Sequence, residues 1–192
     1  LDRLLLIFNL LDITKEDNYY ETTPMAFIVQ QNQFITIFNA RNAYLLEKLE
    51  NYLANNTVLT CQQFLFASLT IASKEYFPVL DQLDRDKDML NAKLRKRTTK
   101  QLLLELSDLE TGLVYLLTAG NQNVFVLEQL RNHPHIQKLG SIELEELDDA
   151  LIEARQLAAM TQLDSQILQQ LSGAYNNILN NNLNDNLTIL TI

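Results

Sequence analysis

The chain has 192 residues, 47% of them hydrophobic, enough for one domain or two small ones with a real core. Its formal charge of −9 argues against a general nucleic-acid binder, which needs a basic face; an acidic surface suits divalent cations or simply solubility. One cysteine allows neither a disulfide framework nor a thiolate metal cluster, and no run of about twenty apolar residues is present to cross a bilayer.

In chain order, Leu4–Phe8 is a short apolar run that reads as a buried strand. The apolar stretch to Leu11 has neither a basic leader nor a cleavage site, so it does not read as a signal peptide. A polar, acid-rich link follows, with Asp12, Glu16, Asp17 and Glu21. Met25–Val29 and Phe34–Phe38 flank Gln31-Asn32-Gln33 and predict an antiparallel hairpin. So small a set of strands reads as the end of an α/β domain whose beginning is missing, over residues 1–57.

From Arg41 the period becomes helical. Tyr44, Leu45, Leu49, Tyr52 and Leu53 share a face of a helix ending near Asn55-Asn56. Thr57 or Thr60 caps the next helix, whose apolar positions run from Phe64 to Leu90. Pro78 lies inside that run, and an interior proline costs about 3 kcal/mol, so a kink or break is predicted near Phe77. Thr98-Thr99 interrupts the pattern, which resumes from Leu102 to Leu130 and stops at His133-Pro134. Two antiparallel helices, about 60–97 and 98–132, are expected.

Gly140-Ser141 opens the last helix, with Ser141 as N-cap and Glu143, Glu145 and Glu146 favouring its positive end. A helix over 141–192 would reach roughly 78 Å at about 1.5 Å per residue. That is a stalk rather than a compact-domain helix, and it suggests packing against copies of itself. Its end is unusual. Leu179, Leu183, Leu187 and Leu190 form one stripe, while seven asparagines fill positions from Asn176 to Asn186. As a helix, that asparagine run costs roughly 4–5 kcal/mol relative to alanine, so something outside local propensity must hold it.

Tyr175, Asn181, Asn184, Asp185, Leu190, Thr191 and Ile192 resemble, without gaps, the stalk-to-membrane junction of the CorA family of magnesium channels, which reads Y-L-S-S-x-S-N-K-x-N-E-V-M-K-V-L-T-I. Asn180, Asn182 and Leu187 replace its serine, lysine and methionine. Ser68–Leu80 is similar to the family's A-L-V-D-D-Y-F-V-L: Tyr76, Phe77, Val79 and Leu80 match, Glu75 stands at the second acid, Lys74 replaces the first, and Pro78 is inserted.

The resemblance implies an α+β fold: a partial α/β domain with a small antiparallel sheet, then long antiparallel helices over 58–192 ending in the stalk. It implies the cytoplasmic metal-sensing portion of a homopentameric channel for Mg²⁺ or Co²⁺ in a bacterial cell membrane, with the bilayer-spanning helices and the family's G-M-N signature absent from this sequence. Mg²⁺ would be both regulatory ligand and transported ion. By resemblance, Asp149 binds the regulatory Mg²⁺ between neighbouring subunits, with Asp12, Glu16 or Asp17 as its partner and Glu75 as a further acid. Two carboxylates about 4 Å apart repel by roughly 1–4 kcal/mol, and a hydrated Mg²⁺ between them reverses the sign. The alternative for Asp149 is an exposed first-turn acid serving the helix dipole.

Asn180, Asn184, Leu187 and Leu190 fall on the pore-lining face by resemblance. Amide oxygens accept hydrogen bonds from an ion's water shell without trapping it; the alternative is a frayed polar tail. Lys93, Arg95, Lys96, Arg97 and Lys100 form the basic cluster, implied to face the inner leaflet, or else a solvated helix face. His133 and His135 lack a third ligand for zinc. No phosphate loop and no nucleophile constellation points to an enzyme. Two rivals stand: a zinc transporter of the same superfamily, and a self-associating helical scaffold without an ion role.

Overall fold

The computed structural model describes residues 3–190, with the side chains of Glu16 and of 184–190 outside that description. Strands β1 (Leu4–Glu16), β2 (Tyr19–Gln30) and β3 (Gln33–Ile37) form one antiparallel sheet in the order β1-β2-β3. The expected hairpin is β2–β3, closed by Gln31-Asn32 with Gln31 at φ 53°.

The acid-rich link expected after the first strand is not a link. β1 continues to Glu16, and Asp17 (φ 48°) and Asn18 (φ 74°) make a two-residue turn into β2. Positive φ at both central residues supplies the twist such a hairpin needs, and Asp and Asn tolerate it. A bulge hides the strand from a period-2 reading. Pairing passes from Leu11↔Thr22 to Lys15↔Tyr20, so Asp12, Ile13 and Thr14 face Glu21 alone.

Pro24 stands in the middle strand opposite Asn9. The two face each other as a non-hydrogen-bonded pair, so Asn9 turns both its N–H and its C=O outward from edge strand β1. Side chains from elsewhere take up these edge groups. The Asn9 N–H donates to Asn123 Oδ1 (2.8 Å), and the Asn9 carbonyl accepts from Asn123 Nδ2 (2.8 Å) and from the Tyr76 hydroxyl (2.8 Å). The Pro24 carbonyl accepts from Asn42 Nδ2 (3.1 Å). Asn42, Tyr76 and Asn123 are all buried, and burial pushes the Tyr76 phenol well above its usual pKa.

Five helices follow: α1 (Tyr44–Asn55), α2 (Cys61–Lys74), α3 (Phe77–Lys96), α4 (Lys100–Arg131) and, after a 3-10 turn at Ile136–Lys138, α5 (Ser141–Leu190). Thr60 caps α2 by accepting from the Gln63 N–H, and Thr99 caps α4 by accepting from the Leu102 N–H. The break expected near Phe77 is present: α2 and α3 are separated at Glu75-Tyr76, and Pro78 sits in the first turn of α3, where its missing N–H costs nothing. Ser141, expected as a cap, is already the first helical residue.

Two cores result. The inward sheet face (Leu6, Phe8, Leu10, Met25, Phe27, Val29) packs with α1, α2 and the adjoining ends of α4 and α5. Below it, α3, α4 and α5 make a bundle around Leu80, Leu83, Leu106, Leu113, Leu157 and Leu168. Gly112 lets α4 approach the sheet: a Cβ there would lie 3.3 Å from the Tyr19 Cβ. Asn123→Ala removes the partner of the Asn9 N–H and one of the two donors to the Asn9 carbonyl. It is expected to cost about 2–4 kcal/mol in urea denaturation, with no change in far-ultraviolet circular dichroism at zero urea.

Candidate functional site

α5 carries two stripes. Leu147, Ala150, Ala154, Leu157, Thr161, Ser165, Leu168 and Tyr175 are buried against the rest of the chain. On the opposite side, Ile142, Glu145, Asp149, Ile152, Gln156, Ala159, Leu163, Gln166, Gln170, Gly173, Asn177 and Asn180 are all exposed. Their spacing alternates three and four, a heptad seam without a break. Large apolar side chains stand open on it: Ile142 at 47%, Ile152 at 59% and Leu163 at 58%. Glu145 and Asp149 are its charges; from Ile152 to Asn180 the seam is neutral and rich in side-chain amides. The candidate pore residue Asn180 lies on this seam. The side chains of Asn184, Leu187 and Leu190 lie outside the described residues.

Asp149 sits near the head of the seam with its carboxylate in no hydrogen bond or ion pair among the described residues. Its neighbour Asp148 is instead held by Arg131, with Nε 2.6 Å from Oδ1 and Nη2 3.3 Å from Oδ2, and that contact raises the arginine's pKa. Glu145 and Glu153 lie one turn to either side of Asp149. An exposed carboxylate flanked this way fits a hydrated Mg²⁺, which keeps its water and needs one or two carboxylates.

The other candidate acids are differently placed. Asp12, turned inward by the bulge, is 1% exposed. Its Oδ1 accepts from the Thr14 N–H (2.9 Å) and hydroxyl (2.6 Å), and its Oδ2 lies 3.5 Å from the Arg41 guanidinium. Arg41 also reaches Glu21 at 3.7 Å. A hydrated ion has no access to Asp12. Glu75, at the α2–α3 joint, is held by Lys48 at 2.8 Å. Asp12 and Glu75 are brought together around Tyr44, whose hydroxyl donates to the Leu11 carbonyl (2.9 Å). Burial raises the Tyr44 pKa, and the charges of Glu75 and Asp12 raise it further.

Asp17 is exposed at the β1–β2 turn, beside the Tyr19–Tyr115 stack. Asp149 and Arg131 are at one level of the α4–α5 pair, and Tyr115 is lower by about 20 Å at 1.5 Å per residue. The chain therefore does not bring Asp17 to Asp149. Glu16 ends β1, and its side chain lies outside the described residues. Next to Glu75, Lys74 reaches Glu153 of α5 at 3.4 Å, which places the α2–α3 joint within one turn of Asp149. Among the described residues, no group of three or more His, Cys, Asp or Glu side chains is assembled to hold a metal within one chain.

The basic cluster closes the far end of α3. Lys93, Arg95 and Lys96 complement the carbonyl end of the helix. Arg95, Lys96 and Arg97 border a groove of about 610 Å³ shared with Tyr175, Ile178 and Asn182 of α5. Arg41, Lys48 and the Lys74–Glu153 bridge were not legible as site residues. The replacement of an acid by Lys74 was the one signal that pointed to them.

The family described as CorA-like Mg²⁺ transporter protein matches residues 2–192. No curated protein matches the chain in sequence. Among solved structures, the complete CorA magnesium transporter from Methanocaldococcus jannaschii is similar over 99% of this chain and 60% of its own, at 20% identity and a TM-score of 0.82. The soluble domain of the same protein matches over 88% and 68%, at 19% identity and a TM-score of 0.74. The ZntB cytoplasmic domain from Vibrio parahaemolyticus matches over 96% and 70%, at 8% identity and a TM-score of 0.69. The chain thus spans less than two thirds of the complete transporter it resembles. Among the described residues, no helix is long and apolar enough to cross a membrane.

Removing Arg41 strands a buried carboxylate. Arg41→Ala is expected to cost about 2 kcal/mol in urea denaturation, between the exposed and buried limits for ion pairs, with Arg41→Lys recovering part of the loss.

Proposed function

The chain belongs to the CorA-like Mg²⁺ transporter family, and from that premise we propose that it is the metal-sensing part of a divalent-cation channel, assembled from copies of itself around the α5 seam. The single observation carrying this reading is the seam: unbroken, uncovered by its own chain, acidic at its head and neutral below. A soluble helix does not leave Ile142, Ile152 and Leu163 open in register without a partner. The asparagine-rich end, unfavourable as an isolated helix, is held when equivalent helices surround it. Gln156, Gln166, Gln170, Asn177 and Asn180 then offer amide oxygens to the water shell of a passing cation, with no fixed charge to retain it. A homopentamer in a cell membrane, with this portion on its cytoplasmic side, is the arrangement the family resemblance supports.

Asp149 is the sensor carboxylate. Rotation about an axis along the stalk keeps every residue at its own height, so the neighbour's contribution comes from the same level. Glu75, at the α2–α3 joint, meets that condition. Asp17 is about 20 Å too low, and Asp12 is sealed by Arg41 and Thr14. A bound Mg²⁺ supplies the positive charge that lets carboxylates of adjacent copies approach. Losing it restores their repulsion and loosens the ring, an allosteric coupling between sensor and seam. Lys93, Arg95, Lys96 and Arg97 are proposed to face an anionic bilayer surface. Mg²⁺ is the preferred ion, with Co²⁺ beside it; the likeness to the ZntB domain concerns fold alone and does not favour zinc.

Mg²⁺ is expected to protect the chain from limited proteolysis. Asp149→Ala should raise the concentration for half-protection at least about tenfold; unchanged protection would remove Asp149 from the sensor. Ile152→Glu is expected to keep the chain monomeric in sedimentation at concentrations where the wild type self-associates.

A further inference from the structure

Several acids around the head of the seam have cations of their own. Arg41 lies 3.5 Å from Asp12 and 3.7 Å from Glu21, Lys48 lies 2.8 Å from Glu75, and Lys74 lies 3.4 Å from Glu153. Asp149 is without one among the described residues. Besides Arg131, which holds Asp148 at 2.6 Å, Lys74 is the cation from another element that touches α5 near Asp149. Its side chain is 57% exposed and reaches across from the end of α2 to a carboxylate one helical turn from Asp149.

We propose that Lys74 is a resident competitor of the divalent cation at Asp149, setting how much Mg²⁺ the sensor needs. The inference rests on the reading of Asp149 as the sensor carboxylate. An ammonium that already neutralises Glu153 does part of the work a bridging Mg²⁺ would do, and it repels the arriving ion. Both effects push the working concentration upward. The sensor of this chain is thereby tuned to higher internal Mg²⁺ than the same scaffold with an acid at 74. Lys48, by holding Glu75, acts in the same direction from the neighbouring residue.

The test is a charge series at one position. The Mg²⁺ concentration giving half-protection from limited proteolysis is measured for the wild type, Lys74→Gln and Lys74→Glu, with circular dichroism confirming the fold of each. Lys74→Gln should lower the midpoint about fivefold and Lys74→Glu about twentyfold, and the differences should shrink in added KCl. Loss of a structural bridge alone would move both variants alike and would not follow charge. Equal midpoints across the series, while Asp149→Ala still raises the midpoint, overturn the role of Lys74 and leave the sensor standing. Mg²⁺ protection absent from all three overturns the sensor reading and this inference with it. If Lys74→Glu does not fold, Lys48→Gln, which frees Glu75, replaces it and should also lower the midpoint; an unchanged value counts against the proposal.

Discussion

The outward backbone groups of Asn9, on edge strand β1, are where the parts of this protein are joined. An edge strand leaves such groups without a ladder partner, and a buried backbone group left unpaired costs about 1–3 kcal/mol. The Asn9 groups are taken up by distant elements: Asn123 from the last third of α4 and Tyr76 from the joint between α2 and α3. This edge of the sheet is thus the point where sheet, joint and α4 are fastened together. Asn42 does the same for the Pro24 carbonyl and sets the start of α1.

The fastening matters because the joint lies beside the acids proposed as the sensor. Tyr76 follows Glu75, and Lys74 reaches Glu153 on the stalk. Thr60, at the other end of α2, donates to Glu143 at 3.0 Å, so α2 is tied to α5 at both ends. Further down, Lys87 of α3, 9% exposed, bonds Asp84 and faces Asp164 of α5. Burial disfavours its charge, yet the surrounding aspartates more than offset that and raise its pKa. The Tyr175 hydroxyl donates to Asn91 Oδ1 at 2.6 Å. These polar ties all lie on the inner side of α5 and leave the seam open. A movement at the head of the stalk is therefore carried by one packed body rather than absorbed at a hinge.

Much of this was readable from the sequence where the signal is local. Thr60 and Thr99 announce helix starts because a side-chain oxygen must meet a free N–H within three residues. Pro78 announces a break because the ring clashes within its own turn. The second hairpin, the antiparallel pair and the long last helix follow from the periods of their apolar residues. What the sequence hid is non-local. The bulge at Asp12–Thr14 shifts the register in the middle of β1, so a strand presents itself as a polar link. The side chains that take up the edge groups of Asn9 come from residues 76 and 123, far away in sequence. The pairing of Asp12 with Arg41 and of Lys74 with Glu153 depends on tertiary approach that no spacing reveals. The seam is a related case. Its heptad spacing is in the sequence, but only the packing shows which stripe of α5 is covered and which is left open.

Native-state hydrogen exchange at the Asn9 amide tests the central claim most directly. If Asn123 fastens the sheet to the long hairpin, that amide opens only with α4: its protection matches that of the buried centre of α4 near Leu116 and falls in step with it as urea is added. An Asn9 amide that exchanges through local opening while the centre of α4 stays protected would show that sheet and stalk are independent, and the joined-body account would fail.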